Sequence, residues 1–295
     1  MRRALALICL VLAACSSPHD ENLLHRERSQ YRNIEVREEN GERCLIFVGP
    51  RRRGRESCQY VDDPERMVFD YTRVMMGALY LQPDPRRILV IGLGGGTLPM
   101  ALARAAPEAH ITAIEIDPAV VRMAEEYFGF TPGPNMQVET VDGRVFVNRA
   151  IQRRARYDIV MLDAYDLNYI PDHMMTREFL ESVRSILAPG GVVAANTFST
   201  SALYDNESAT YAAVFHRFYN VKLDNRIILA RLGGDLPERE ELVANATRYS
   251  ALFPSYGVDP VTLLSLMREE RDWDEDARLL TDEYSPANLL NHQSR

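Results

Sequence analysis

Residues 87–96 read Arg-Ile-Leu-Val-Ile-Gly-Leu-Gly-Gly-Gly. Residues 88–91 are a short apolar, β-branched run bounded by glycine, the pattern of a strand buried on both faces of a parallel sheet. Residues 98–106 follow with the spacing of a helix. Strand, glycine turn and helix form the first unit of a nucleotide-binding α/β domain. Gly92, Gly94, Gly95 and Gly96 let a ligand approach the backbone, and the helix start offers free N–H groups. A glycine turn can also serve only close strand–helix packing, so the downstream residues have to carry the argument.

They do so at the strand ends. A second strand, residues 110–114, ends in Glu115-Ile116-Asp117. That acid lies roughly 20 residues past the turn, where such folds place a carboxylate on ribose hydroxyls. A third strand, 136–141, leads to Asp142-Gly143, and a fourth, 158–162, to Asp163-Ala164-Tyr165-Asp166. Pro189-Gly190-Gly191 precedes a fifth strand at 192–195, and further strands fall near Val221 and Ile227. Ligands of open α/β sheets bind beyond the carboxyl ends of the strands. Any one acid could be a cap or turn residue, but four consecutive strand ends carry either the glycine turn or an acid. The set suits a nucleoside: Glu115 on the ribose, Asp142 accepting from an adenine amino group, and Gly92, Gly94, Gly95, Gly96 and Gly143 at the backbone approach. That is the arrangement for an S-adenosylmethionine-type cofactor, and the turn lacks the regular dinucleotide fingerprint.

The chain begins differently. Arg2-Arg3, an apolar run over residues 4–14 and Leu12-Ala13-Ala14-Cys15 have the order of a bacterial lipoprotein signal. Cys15 would be the lipidated first residue of the mature chain, and Ser16 after it favours the outer membrane. The run is too short to span a bilayer stably. The alternative is a cytoplasmic protein with an apolar start. Residues 16–30 read as a polar tether. Alternating residues 33–38, the Asn40-Gly41 turn and alternating residues 43–48 make a hairpin. A second turn at 49–55, with four arginines among its residues, leads to a third strand at 56–61. A helix over 67–81 links this sheet to the α/β domain. The expected division is thus 1–15 signal, 16–30 tether, 31–82 small antiparallel β-domain with linking helix, and 83–295 Rossmann-like domain. Of the four cysteines, Cys9 would leave with the signal and Cys15 would be acylated. Cys44 and Cys58 then remain as an even pair on adjacent strands of one hairpin, placed to form a disulfide in an oxidising compartment.

Composition is that of a globular protein, 46% hydrophobic and 26% charged, with a net charge of −8. Such a balance argues against a general nucleic-acid surface, which needs a basic face to release counterions. No Cys/His cluster suggests a metal.

From about residue 31 to 196 the chain resembles the spermidine synthase family, the polyamine aminopropyltransferases. The resemblance is carried by Ser29-x-Tyr31-x-x-Ile34, Gln59, Pro83-x-Pro85-Arg86, the glycine turn, Glu115-Ile116-Asp117, Asp142-Gly143, Asp163-x-x-Asp166 and Thr176-x-x-Phe179. It implies a small β-domain followed by an S-adenosylmethionine-dependent methyltransferase fold. It also implies aminopropyl transfer from decarboxylated S-adenosylmethionine to a polyamine. Asp163 would be the catalytic base, Asp166 its partner at the amine, and Gln59, Tyr71 and Tyr165 substrate contacts. The chemistry asks for such acids, because an amine arrives as an ammonium and must lose a proton before its nitrogen can attack.

Three departures from the family pattern bear on the substrate. Gly95 stands where the family has an aspartate that binds the amine of the decarboxylated cofactor. The Tyr-Gln pair of the linking helix is Asp70-Tyr71 here, and an early glutamine is Arg32. In addition, Leu280-Thr281-Asp282-Glu283-Tyr284-Ser285-Pro286 resembles a divergent branch that includes methyltransferases. Methyl transfer from S-adenosylmethionine on the same fold, and a non-catalytic lipoprotein that binds a polyamine or nucleoside, therefore remain alternatives. The expected partners are a polyamine or other amine, and the membrane through a lipid anchor alone. A homodimer is left open. The expected location is the bacterial cell envelope.

Overall fold

The structure, a computed structural model, describes residues 20–49, 53–164 and 171–286. The signal, Cys15, the loop tip at 50–52, and Tyr165 and Asp166 lie outside the described residues. Two sheets make the frame.

The first is antiparallel, with β1 (Leu23–Arg28), β2 (Asn33–Glu39), β3 (Glu42–Val48) and β4 (Arg53–Tyr60) in sequence order. It has one strand more than the sequence reading allowed. Residues 23–28, read as tether, alternate half-buried and exposed side chains and pair with β2. Asn40-Gly41 turns the β2–β3 hairpin with positive φ at both residues, the geometry such a two-residue turn requires. β4 starts at Arg53 rather than at residue 56 because its arginines find cross-strand acids: Arg55 pairs with Glu42, and Arg53 reaches Glu35. Ile34, Val36 and Leu45 form the apolar face of this sheet.

Residues 67–81, expected as one helix, form α1 (Asp70–Met75) and α2 (Ala78–Leu81). The break falls at Gly77, where a Cβ would sit 2.9 Å from the Val74 carbonyl oxygen and 3.2 Å from Leu229.

The second sheet has seven strands: β5 (Arg87–Ile91), β6 (His110–Glu115), β7 (Met136–Thr140), β8 (Tyr157–Leu162), β9 (Leu187–Phe198), β10 (Phe218–Lys222) and β11 (Asn225–Arg231). Their order is β10-β11-β9-β8-β5-β6-β7. β5 to β9 are parallel, and β11 is antiparallel to both β9 and β10. β9 begins before Pro189-Gly190-Gly191, because Gly191 still pairs through its carbonyl with the Leu232 N–H. Ile88, Leu89, Val90 and Ile91 are all at most 1% exposed. Burial of side chains of this size contributes about 1.5–3 kcal/mol each. Both faces are covered. On one lie α1, α2, α3 (Thr97–Ala105), α8 (Arg239–Arg248) and α9 (Pro260–Leu266). On the other lie α5 (Gly143–Gln152), α6 (Arg177–Ser185) and α7 (Tyr204–Phe215).

α4 (Pro118–Tyr127) joins the two sheets. Asp117 caps it by accepting from the Ala119 N–H at 2.9 Å, and Pro118 occupies its first turn. Its Ala119, Val120 and Met123, with Phe128 beyond its end, pack on Ile34, Val36 and Leu45 of the small sheet. The small sheet is thereby held beside the carboxyl end of the large one. Among the described residues no helix is long and apolar enough to cross a membrane.

Candidate active site

The chain order reverses at β5, whose neighbours are β6 and β8. A ligand crevice is expected at such a switch point. A cavity of about 260 Å³ lies there, lined from the large sheet by Gly92, Gly94, Glu115, Asp142, Gly143 and Asp163. The small sheet supplies Arg32, Phe47, Ser57 and Cys58, and Phe69 and Tyr71 come from the start of the linking helix.

Gly92 has φ +103°, and a Cβ there would lie 2.1 Å from the Asp163 carbonyl oxygen. Only glycine fits, and the close approach sets Asp163 against the turn. The Gly92 N–H also donates to the Ile114 carbonyl, and the Asp163 N–H to the Ile91 carbonyl, both at 2.8 Å. These bonds fix the mutual position of three strand ends.

Glu115 accepts the Leu93 N–H at 3.1 Å on one carboxylate oxygen and the Asp117 N–H at 3.0 Å on the other. Each oxygen keeps a further lone pair for a ligand hydroxyl. Burial pushes its carboxyl above the usual range, while the two N–H groups and Arg32 pull the other way. Asp142 caps α5 through the Val145 N–H at 2.9 Å and meets His173 Nε2 at 3.1 Å. The histidine contact holds this carboxyl below its ordinary value.

Asp163 is different. Burial raises its carboxyl to about 7, and hydrogen bonds from Asn196 and Tyr71 oppose the shift only in part. The Asn196 amide donates to it at 2.9 Å and is itself oriented by Asn225, whose amide donates to Asn196 Oδ1 at 2.8 Å. Burial, with the negative charges of Asp163 and Glu56, pushes the Tyr71 phenol well above its normal range, so Tyr71 stays a donor. Among the described residues, Asp163 thus has neutral partners and no cation. A carboxylate so placed binds an ammonium and accepts its proton near neutral pH.

Several sequence assignments change. Gly95 and Gly96 do not line the cavity. A Cβ on Gly95 would meet Ser57 Oγ at 2.9 Å and the Phe128 ring at 3.0 Å, and one on Gly96 would meet the Phe130 ring at 2.3 Å. These two glycines serve close packing of the turn. Gln59 is not on the wall either: it is buried inside β4, opposite Arg43 and bridged to Met67. β4 faces the cavity through Glu56, Ser57 and Cys58 instead. Cys58 is joined by a disulfide to Cys44, its direct cross-strand partner, with Cα atoms 4.1 Å apart. Sequence reasoning passed over three residues here. Asn196 follows Ala195, the last residue of β9 that pairs in parallel with β8, so the edge logic that found the acids could have reached it. His173 and Ser57 carried no signal. Ser29, quoted only as part of a pattern, donates to Asp117 at 2.5 Å and ties the small sheet to the end of β6.

The Rossmann-like sheet, with the glycine turn, Glu115, Asp142 and Asp163 at its carboxyl edge and a small antiparallel sheet before it, has the fold shared by spermidine synthases and methyltransferases. Residues 68–223 match the family model described as the spermine/spermidine synthase domain. A polyamine aminopropyltransferase of Vibrio vulnificus is 44% identical over 290 residues, covering 97% of this chain and 96% of that one. The chain belongs to the spermidine synthase family. Among solved structures, a probable spermidine synthase from Corynebacterium glutamicum shares the fold, with TM-score 0.62 and 19% identity over 86% of this chain and 98% of that one. Human methyltransferase-like protein 13, solved in complex with SAH, has TM-score 0.56 and 27% identity over 73% of this chain and 100% of that chain.

Proposed function

We propose that the protein transfers an aminopropyl group from decarboxylated S-adenosylmethionine to the amine of a polyamine, with Asp163 as the base. The observation that carries this reading is the Asp163 carboxyl, raised to about 7 and served by two neutral donors, on the wall of the nucleoside cavity. Glu115 holds the ribose, and Asp142 with Gly143 borders the base. The sulfonium donor supplies an electrophilic carbon and a neutral thioether leaving group. Asp163 binds the incoming ammonium and takes one proton, Tyr71 and Asn196 hold the carboxylate in place, and the freed nitrogen lone pair is aimed at the carbon. A C–N bond forms as the C–S bond breaks, leaving 5′-methylthioadenosine. Asp166 would share the amine. The test is mass spectrometry of the purified protein with decarboxylated S-adenosylmethionine and putrescine. Aminopropylated product and 5′-methylthioadenosine in equal amounts are expected, and their absence in a folded sample overturns the reading.

One observation favours a second reading. The turn carries Gly95 where the family pattern has an aspartate for the amine of the decarboxylated cofactor. A tail that keeps its carboxylate meets no acid at that position, which suits methyl transfer from S-adenosylmethionine. S-adenosylhomocysteine as the product of the same incubations would select it.

The proposal also puts the mature chain at the cell envelope, held by a lipid on Cys15. It is supported by the order of charge, apolar run, small residues and cysteine in residues 2–15. The Cys44–Cys58 disulfide adds support, being a bond that persists in oxidising compartments. Loss of lipid label in Cys15→Ser is expected, and retained label overturns the anchor.

A further inference from the structure

Residues 280–285 lie more than 100 positions from the segment 171–177 in sequence, yet they grip it. The Arg177 N–H donates to the Leu280 carbonyl at 2.8 Å, and Ser285 Oγ donates to the Asp172 carbonyl at 3.2 Å. Between these two contacts sits Asp282. Thr176 Oγ1 donates to its Oδ1 at 2.7 Å, and its own N–H donates to Glu178 at 3.0 Å. Arg144 takes both of its carboxylate oxygens, at 2.7 and 2.5 Å. The same guanidinium donates to the His173 carbonyl at 2.9 Å. Arg144 stands two residues after Asp142, and His173 Nε2 meets Asp142 Oδ2 at 3.1 Å. Asp282 itself does not line the cavity, whereas Asp142 and His173 do.

We infer that Asp282 is a positioning residue for the nucleoside end of the site, acting through Arg144 on His173 and Asp142. The inference rests on the nucleoside reading proposed above. The fork-on-carboxylate pair has one favoured geometry, so it fixes Arg144 in direction as well as distance. Arg144 in turn holds the 173 carbonyl, and with it the imidazole that shares Asp142. Without Asp282, His173 and Asp142 keep their chemistry but lose a common frame. A strap that only stabilised the fold would lower the melting temperature and leave affinity in the folded protein unchanged. A positioning strap changes the affinity itself.

The experiment is calorimetric titration of 5′-methylthioadenosine into wild-type protein, Asp282→Ala and Arg144→Gln, each with its melting temperature. Weakening one hydrogen bond to a charged group costs on the order of tenfold or more in an equilibrium constant. The dissociation constant is expected to rise about tenfold or more in Asp282→Ala, while the KM for the amine stays at the wild-type value. Arg144→Gln should match it, and the double variant should lose no more than either alone, because both break one relay. A wild-type dissociation constant in folded Asp282→Ala overturns the inference, as do additive losses in the double variant. If Asp282→Ala does not fold, Arg144→Gln and Asp282→Asn decide by the same readout. Failure of the wild-type protein itself to bind the nucleoside overturns the nucleoside reading and this inference together, a result distinct from a variant that binds as wild type.

Discussion

Glu35 in the small sheet and Asp163 at the edge of the large one are both carboxylates set below the surface, and they are treated in opposite ways. Glu35, with its side chain 3% exposed, meets Arg26 at 2.8 Å, Arg37 at 3.2 Å and Arg53 at 3.5 Å. Asp163 has an amide and a phenol, and its carboxyl is raised to about 7. One charge is neutralised by the chain; the other meets only neutral donors, which is what the proposed role at a cationic amine needs. Glu207 shows that proximity to a cation is not enough. It is buried 3.6 Å from Arg226, beyond hydrogen-bond distance, and its carboxyl is also raised to about 7. A structural acid is one whose partners reach it, and the difference sets the sign of what removing its charge does.

The largest expected effect is at Asp163. Asp163→Asn should lower kcat/KM by about 10²–10⁴-fold, the range for a general base. In the wild type, kcat/KM should fall as pH drops through about 7, because the base must be unprotonated, and the variant should lose that limb. Stability should move the other way. A carboxyl raised in the folded state binds protons there that the unfolded chain has released, so wild-type stability declines as pH rises from about 4 towards 7. Asp163→Asn should therefore be more stable than wild type by about 1–3 kcal/mol at pH 8 and gain little at pH 4. A loss of stability at pH 8 breaks the contrast with Glu35.

Next in size is the Cys44–Cys58 bridge, which closes a loop between residues 14 apart. In the chain-entropy model a loop of about 15 residues contributes about 3 kcal/mol. The double Cys44→Ser, Cys58→Ser variant should show that loss in urea unfolding. Intact-mass analysis of exported protein, alkylated before and after reduction, should find this pair protected until reductant is added. Two freely alkylated thiols would remove both the bridge and its support for export.

Glu115→Gln comes third and tests the nucleoside end. Hydrogen bonds to a charged group are worth about 1.5–3 kcal/mol. Affinity for 5′-methylthioadenosine should fall by that amount, while the amine KM stays unchanged. Equal affinity in the folded variant would remove the ribose role.

These effects lie in regions of unequal legibility. The parallel core could be read because Ile88, Leu89, Val90 and Ile91 face apolar surroundings on both sides, which leaves an unbroken apolar run. Glu115, Asp142 and Asp163 could be read because position at a strand end is a property of local sequence. β1 could not. Its sequence, Leu-Leu-His-Arg-Glu-Arg, is mostly polar, and half of it faces solvent. Its ladder with β2 and the Arg26–Glu35 pair come from partners brought in by tertiary structure. Gln59 lies in β4 as the strand at 56–61 already implied, but its contacts with Arg43 and Met67 come from other parts of the chain and set it off the cavity wall, which Ser57 and Cys58 line instead. Gly95 and Gly96 failed because glycine spacing cannot distinguish approach to a ligand from approach to Phe128 and Phe130. His173 meets Asp142 only through a fold-back that no local pattern encodes.

The smallest expected effect is the one that closes the comparison. Glu35→Gln keeps the shape of the side chain and removes its charge from among three guanidiniums. Arg26 and Arg53 have side chains more than half exposed and can turn to water, while Arg37, 14% exposed, retains Asp20 at 2.7 Å. The loss should therefore stay well below the cost of stranding a fully buried ion, at about 1–2 kcal/mol. Since the cluster lies in the small sheet and Glu35 does not line the cavity, kcat/KM in the folded variant should equal that of the wild type. The measurement is the urea midpoint of Glu35→Gln beside that of Asp163→Asn at pH 8. The first should fall below wild type and the second rise above it. Shifts of the same sign would mean that the arginines around Glu35 and the amide and phenol on Asp163 do not separate a structural acid from a functional one.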